Sequence, residues 1–179
     1  LVVMGGPQDV WQEDIHPWLV PEKAAIRRWV RDLGRPYLGI CLGHQLLAEA
    51  LGGRVGLMQR PEVGLAKVDL TAEGLCDPLF AGFDNTVLTF QWHGAEIVGM
   101  PAGAVALARN KACAVQAMRW GRHAYGLQYH VEITTVTVRE WEAEPAYKAS
   151  LEQALGPIEA ARLNDVVSPR LSEFRSAAR

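Results

Sequence analysis

A chain of 179 residues is long enough to bury one well-formed core and too short for two large domains. Its 49% apolar and 21% charged residues make an ordinary globular balance, and a net charge of −2 with scattered Lys and Arg argues against a nucleic-acid surface, which needs a concentrated basic field. No apolar run approaches the roughly 20 residues that span a bilayer, and three isolated cysteines (Cys41, Cys76, Cys113) fit a reducing cytoplasm better than a disulfide framework or a zinc site.

The chain opens on a strand-like run, LVVM, that leads into the turn Gly5-Gly6-Pro7. A domain that begins on a buried strand is expected to have an earlier β-α unit, which is missing here. Pro21 then precedes a segment with Ile26, Trp29, Val30 and Leu33 at helical spacing and Gly34 as its stop, predicting an amphipathic helix. Tyr37–Cys41 reads as a short apolar strand and Leu42–Leu51 as a helix closed by Gly52-Gly53. Strand, helix, strand, helix predicts an α/β fold: a mainly parallel sheet with helices on both faces. Short β-prone runs follow at 64–70, 86–91, 104–109, 114–120 and 124–132, the last two flanking Gly121-Arg122-His123 as a hairpin. Beyond about residue 136 the composition turns helical, with Leu151, Leu155 and Ile158 on one face and breaks at Gly156-Pro157 and Pro169. The expected organisation is therefore a domain over 1–140 and a helical extension over 141–179 packed on it.

Gly39-Ile-Cys41-Leu-Gly43 has the form Gly-x-nucleophile-x-Gly at a strand-to-helix turn. Side chains two before and two after the nucleophile would clash across such a turn, and the following helix aims its N-terminal amides at the sulfur. The backbone N–H of Leu42 is then placed to stabilise an oxyanion. A buried structural cysteine beside a glycine-rich turn would give the same local pattern.

A cysteine nucleophile needs a base and the base an orienting group. His44 lies three residues into the helix and points along it; His16 and His123 sit in polar turns; His93 follows a strand with no carboxylate two residues away. His130 is followed by Val131 and Glu132 at the end of the strand AYGLQYHVE. Residues i and i+2 of a strand share a face, so Glu132 can reach one ring nitrogen of His130 while the other faces outward.

This conjunction resembles the triad-type, class I glutamine amidotransferases. Their elbow reads G-x-C-x-G-x-Q, as do Gly39, Cys41, Gly43 and Gln45; their second motif, G-x-Q-[FY]-H-P-E, is matched from Gly126 to Glu132 except at Val131, where proline is usual. The stretches VVMGGPQDV, FQWHG and AYGLQYH are similar to stand-alone members related to the amidotransferase domain of GMP synthase. The resemblance implies a flavodoxin-like fold, with Cys41 as nucleophile, His130 as acid/base and Glu132 as orienting carboxylate. It also implies an oxyanion hole from backbone N–H groups of Gly5 or Gly6 and Leu42, and substrate contacts from Gln45, Trp92, His93 and Gly94. It implies L-glutamine as substrate, hydrolysed through a thioester to glutamate and ammonia, with no cofactor or metal. No phosphate loop is visible, so an ATP-dependent synthetase using the ammonia would be a separate chain. A γ-glutamyl peptide or conjugate would pass through the same thioester and is the alternative substrate. A catalytically silent regulatory protein on the same scaffold is the third possibility, opposed by the intact Cys41, His130 and Glu132.

Overall fold

A computed structural model describes residues 1–177; the last two residues of the expected extension, 178 and 179, lie outside the described ones. In chain order the elements are β1 (Val2–Val3), α1 (Leu19–Arg27), β2 (Tyr37–Ile40), α2 (Leu42–Ala50), β3 (Arg54–Leu70), α3 (Ala72–Leu75), β4 (Thr86–Gly99), β5 (Ala104–Arg109), β6 (Ala117–Trp120) and β7 (Ala124–Leu127). Four helices follow: α4 (Thr137–Glu142), α5 (Pro145–Ala160), α6 (Leu163–Val167) and α7 (Leu171–Ala177).

One seven-stranded sheet runs in the order β1-β2-β7-β6-β5-β3-β4. The α/β class is as expected, but the sheet is mixed rather than mainly parallel. β1, β2 and β7 are parallel neighbours, and the remaining four pairings are antiparallel. Connection length explains part of the difference. A parallel crossover takes a dozen or more residues, which α1 and its flanks supply between β1 and β2. β5–β6 and β6–β7 are joined only by residues 110–116 and 121–123, so those strands must turn back.

Helices cover both faces. On one, Leu19 and Ile26 of α1 and Leu46 and Leu47 of α2 pack with Met118 and Ala124 of the sheet. On the other, Val68, Leu107, Leu127 and Tyr129 meet Phe80, which lies in a short turn after α3. A third cluster seats Leu151, Leu163, Val167 and Phe174 of the last helices on Phe90 and Trp92 of β4.

Three local expectations shift. α1 passes into a π-helical turn, Arg28–Asp32, which rotates Leu33 into solvent. Gly156 adopts φ 76° before Pro157, and this break leaves Ile158 exposed instead of on the face of Leu151. β7 ends at Leu127, so His130 and Glu132 do not lie on a continuous strand. Beyond Leu127 the chain crosses to β4, where His130 and Phe90 exchange backbone hydrogen bonds of 2.7 and 3.2 Å.

Candidate active site

Cys41 sits between β2 and α2 with φ 52° and ψ −103°, and is the non-glycine residue with positive φ among those described. Such a conformation is costly for an L-residue and persists only where the surroundings impose it. They do so here. Cys41 N–H donates to Leu127 O at 2.8 Å, and its own carbonyl accepts from Gln45 N–H at 3.1 Å as the helix begins. The two flanking glycines are required sterically: a β-carbon at Gly39 would overlap the Gly43 carbonyl, and one at Gly43 would overlap the carbonyl of Val3. The turn therefore lifts the cysteine out of the sheet at the C-terminal ends of β1, β2 and β7.

The sulfur faces two groups. Its S–H can donate to Trp92 O at 3.9 Å, and the His130 ring lies beside it across Gly5. A β-carbon on Gly5 would stand 3.3 Å from Cys41 Cβ and 3.2 Å from His130 Cε1, so a side chain there would wedge against both. His130 Nδ1–H donates to Glu132 Oε1 at 2.6 Å, while Glu132 Oε2 accepts the Val131 N–H at 2.9 Å. The His-x-Glu contact is thus made without the strand periodicity that suggested it. Burial alone would lower the His130 pKa, but the hydrogen bonds and charges of Cys41 and Glu132 outweigh it and raise it to about 9. Burial would likewise raise the Glu132 carboxyl, yet the His130 ring holds it below its ordinary value.

A cavity of about 340 Å³ opens over Cys41. Its walls include Gly6, Leu42, Gln45, Trp92, His93 and Gly94, so the oxyanion and substrate candidates other than Gly5 converge on one space. Gln45 is buried, and its Nε2 donates to Ala95 O at 3.1 Å and Gln128 Oε1 at 3.0 Å. His93 lies within β4, not after it; its Nδ1 stands 3.0 Å from Ala95 O and its Nε2 3.1 Å from Gln91 Oε1. His44 is remote from the sulfur: it is buried with Nε2 3.2 Å from Val115 O, and its ring fills the space a β-carbon of Gly126 would need.

The structure adds residues that the sequence did not single out. Glu62 pairs with His93 across the β3–β4 ladder, Oε2 to Nε2 at 3.3 Å, and accepts from Gln116 Nε2 at 2.8 Å. Asp9 stands at the cavity wall, its carboxyl pKa raised by burial. Tyr147, Ser150 and Gln153 of α5 form the opposite wall, at the i, i+3, i+6 spacing of one helix face. The Trp92 indole N–H donates to Tyr147 O at 3.2 Å and Ser150 Oγ at 3.0 Å, fastening that wall to β4. Only the spacing along a predicted helix could have hinted at the wall. Glu62 lies 31 positions before His93, and nothing local in the sequence links them. Among the described residues no cluster of His, Cys, Asp and Glu is arranged to hold a metal, and no helix is long and apolar enough to cross a membrane.

The sequence model of one family, described as glutamine amidotransferase class-I, matches residues 1–140. A GMP synthase (glutamine-hydrolyzing) of Thermomicrobium roseum is 38% identical over 133 residues, which is 74% of this chain and 23% of that one. A chain named as one subunit of the GMP synthase (glutamine-hydrolyzing) of Sulfolobus acidocaldarius is 35% identical over 134 residues, 74% of this chain and 66% of that one. The chain therefore spans about a quarter of the first relative and just under two thirds of the second. Among solved structures, a glutamine amidotransferase of Thermotoga maritima superposes with a TM-score of 0.83 at 28% identity, covering 99% of this chain and 74% of that one.

Proposed function

The chain belongs to the class I glutamine amidotransferase family, and from that premise we propose that it hydrolyses the side-chain amide of glutamine through a thioester on Cys41. The observation that carries this reading is the strained Cys41 backbone at the floor of a cavity, with the His130–Glu132 pair beside it.

In this reading the His130 ring takes up the Cys41 thiol proton as the sulfur attacks the amide carbon, and the developing oxyanion meets the Leu42 N–H and a backbone N–H of Gly5 or Gly6. His130, charged up to about pH 9, gives its proton to the departing nitrogen, so ammonia leaves rather than amide ion. Glu132 keeps Nδ1 protonated and stabilises the charged ring, leaving Nε2 for the reacting groups. Water then attacks the thioester, with His130 now accepting its proton, and glutamate is released. Gln45, Trp92, His93 and Gly94 shape the space for the amino-acid end of the substrate. Val131 in place of proline leaves its N–H free to donate to Glu132, a bond that proline could not make.

The ammonia goes to a separate acceptor, for which an ATP-dependent synthetase in the same cytoplasm is the proposed partner. The similarity to a protein named as one subunit of GMP synthase supports delivery between chains. A diazoketone analogue of glutamine tests the nucleophile: covalent labelling of the folded protein at Cys41 is expected. Labelling at exposed Cys76 with Cys41 untouched would overturn the assignment.

A further inference from the structure

Two cavities meet at the triad. The larger, over Cys41, accounts for the glutamyl half of a substrate. The smaller, of about 180 Å³, lies on the His130 side and is lined by Met4, Gly5, Glu132, Trp141 and Tyr147, among others. Tyr147 belongs to both walls, and Gly5, which lines the smaller cavity, stands against both Cys41 and His130. The Trp141 ring packs edge-on against the His130 ring with centroids 4.7 Å apart, and lies tilted at 31° to the Tyr147 ring with centroids 5.5 Å apart. Trp141 and Tyr147 both follow residue 140, where the match to the family ends.

The chemistry orients the substrate across these spaces. The scissile nitrogen must receive its proton from His130, so it faces that ring. Any substituent on the nitrogen then projects to the His130 side, into the smaller cavity. At about 30 Å³ per water, its volume holds about six water-sized groups, far more than ammonia needs. Its lining is aromatic and aliphatic apart from His130, Glu132 and Thr137, and includes no Lys or Arg. Glu132 is already engaged by His130 and the Val131 N–H. The one cation in the lining, the His130 ring, is already paired with Glu132, so a leaving group that carries a carboxylate would enter without a free cation to meet it, which is costly.

Building on the amidohydrolase reading, we propose that the smaller cavity is a leaving-group subsite, and that the chain hydrolyses γ-glutamyl amides of small apolar primary amines as well as glutamine itself. The S–C bond forms at Cys41 as the C–N bond breaks, and the nitrogen takes the His130 proton and leaves as the amine. Water then supplies the oxygen that displaces sulfur. The net reaction is γ-glutamyl amide plus water to glutamate plus amine, and no other reactant is consumed. The same lining disfavours γ-glutamyl dipeptides.

The test compares kcat/KM for glutamine, N5-ethylglutamine and γ-glutamylglycine on the full chain. N5-ethylglutamine is expected within about ten-fold of glutamine, since added methylenes in an apolar pocket change specificity only modestly. γ-Glutamylglycine is expected at least about 100-fold lower, from its unpaired carboxylate. Met4 is half-exposed at the cavity, so Met4→Trp can fill it without entering the core. That variant is expected to lower the ratio of N5-ethylglutamine to glutamine by about ten-fold or more, a loss on the scale of steric exclusion from a pocket. Turnover of glutamine with N5-ethylglutamine inert would overturn the subsite and leave the glutaminase reading standing. Turnover of N5-ethylglutamine with glutamine inert would do the reverse, and hydrolysis of neither would overturn both.

Discussion

Replacing Glu132 by glutamine removes one negative charge from the triad while keeping its shape. The carboxylate accepts from His130 Nδ1 at 2.6 Å and, through its other oxygen, from the Val131 N–H at 2.9 Å. The His130 pKa is set by opposing effects: burial lowers it, and Cys41 and Glu132 together raise it from 6.5 to about 9. With the carboxylate gone, burial and one supporter fewer remain. The pKa should fall by at least about one unit, which is about 1.4 kcal/mol of lost preference for the charged ring. The introduced amide can also turn its NH₂ toward Nδ1 and stabilise the wrong tautomer, so the rate should fall by about 10²–10⁴.

Two measurements check this. NMR titration of the His130 ring in Glu132→Gln should show the midpoint moved to lower pH, and the alkaline limb of kcat/KM should move with it. The raised pKa also links to stability. A ring that binds its proton more tightly when folded stabilises the fold fully below pH 6.5, and that contribution is lost as pH rises toward about 9. The stability gap between wild type and Glu132→Gln should therefore stay constant up to the variant's lowered His130 pKa and close between there and about pH 9. An unmoved titration together with an unmoved rate profile would refute the orienting role of Glu132.

Two further outcomes follow from packing. Burial lowers the His44 pKa to about 3, so the unfolded chain binds a proton that the folded chain refuses below pH 6.5. Stability is full above pH 6.5 and should fall by about 1.4 kcal/mol per pH unit on this account as pH drops toward 3. Urea midpoints of His44→Gln between pH 4 and 7 should show a shallower acid slope than wild type; equal slopes would refute the assignment. Gly43→Ala sets helix propensity, worth about 1 kcal/mol in favour of alanine, against overlap with the Val3 carbonyl, worth about 1–3 kcal/mol or more against it. Destabilisation is expected, and a raised urea midpoint would mean that β1 yields freely.

The elbow was legible in the sequence because its rule is local: Gly39 and Gly43 flank Cys41 at the positions where a β-carbon would meet backbone. The contact between His130 and Glu132 was legible too, although it depends on a chain crossing to Phe90 rather than on strand alternation. What could not be read was long-range. The hairpin at 121–123 was legible, but the antiparallel pairing of β3 with β4 and β5 was not, because their partners are set by tertiary packing. The Glu62–His93 pair depends on a register shift in β3 between Leu57 and Glu62, which sets Glu62 opposite His93. Polar residues at 62, 91, 93 and 116 give no sign in sequence that they share one buried network.

Trp92 joins the part of the site that the family's sequence model matches to the part that follows residue 140. Its carbonyl faces the Cys41 sulfur, and its indole N–H is held by Tyr147 and Ser150 of α5. Its ring centroid lies within 6 Å of those of Phe90, Trp141 and Tyr147, so the aromatic cluster that seats the last helices also fixes the strand beside Cys41. Fully burying an aromatic side chain of this kind stabilises by about 1.5–3 kcal/mol, and disrupting α4 and α5 would forfeit that for several rings at once. The residues to which the proposed reaction assigns bond-making lie between 5 and 132, whereas the cavity walls built by the later helices lie between 141 and 153. If the proposed reaction holds, substitution in α5 should change which substrate is accepted without touching Cys41, His130 or Glu132, provided the Trp92 indole keeps its acceptors. The backbone acceptor, Tyr147 O, survives any side-chain exchange there, and only Ser150 is tied by its side chain.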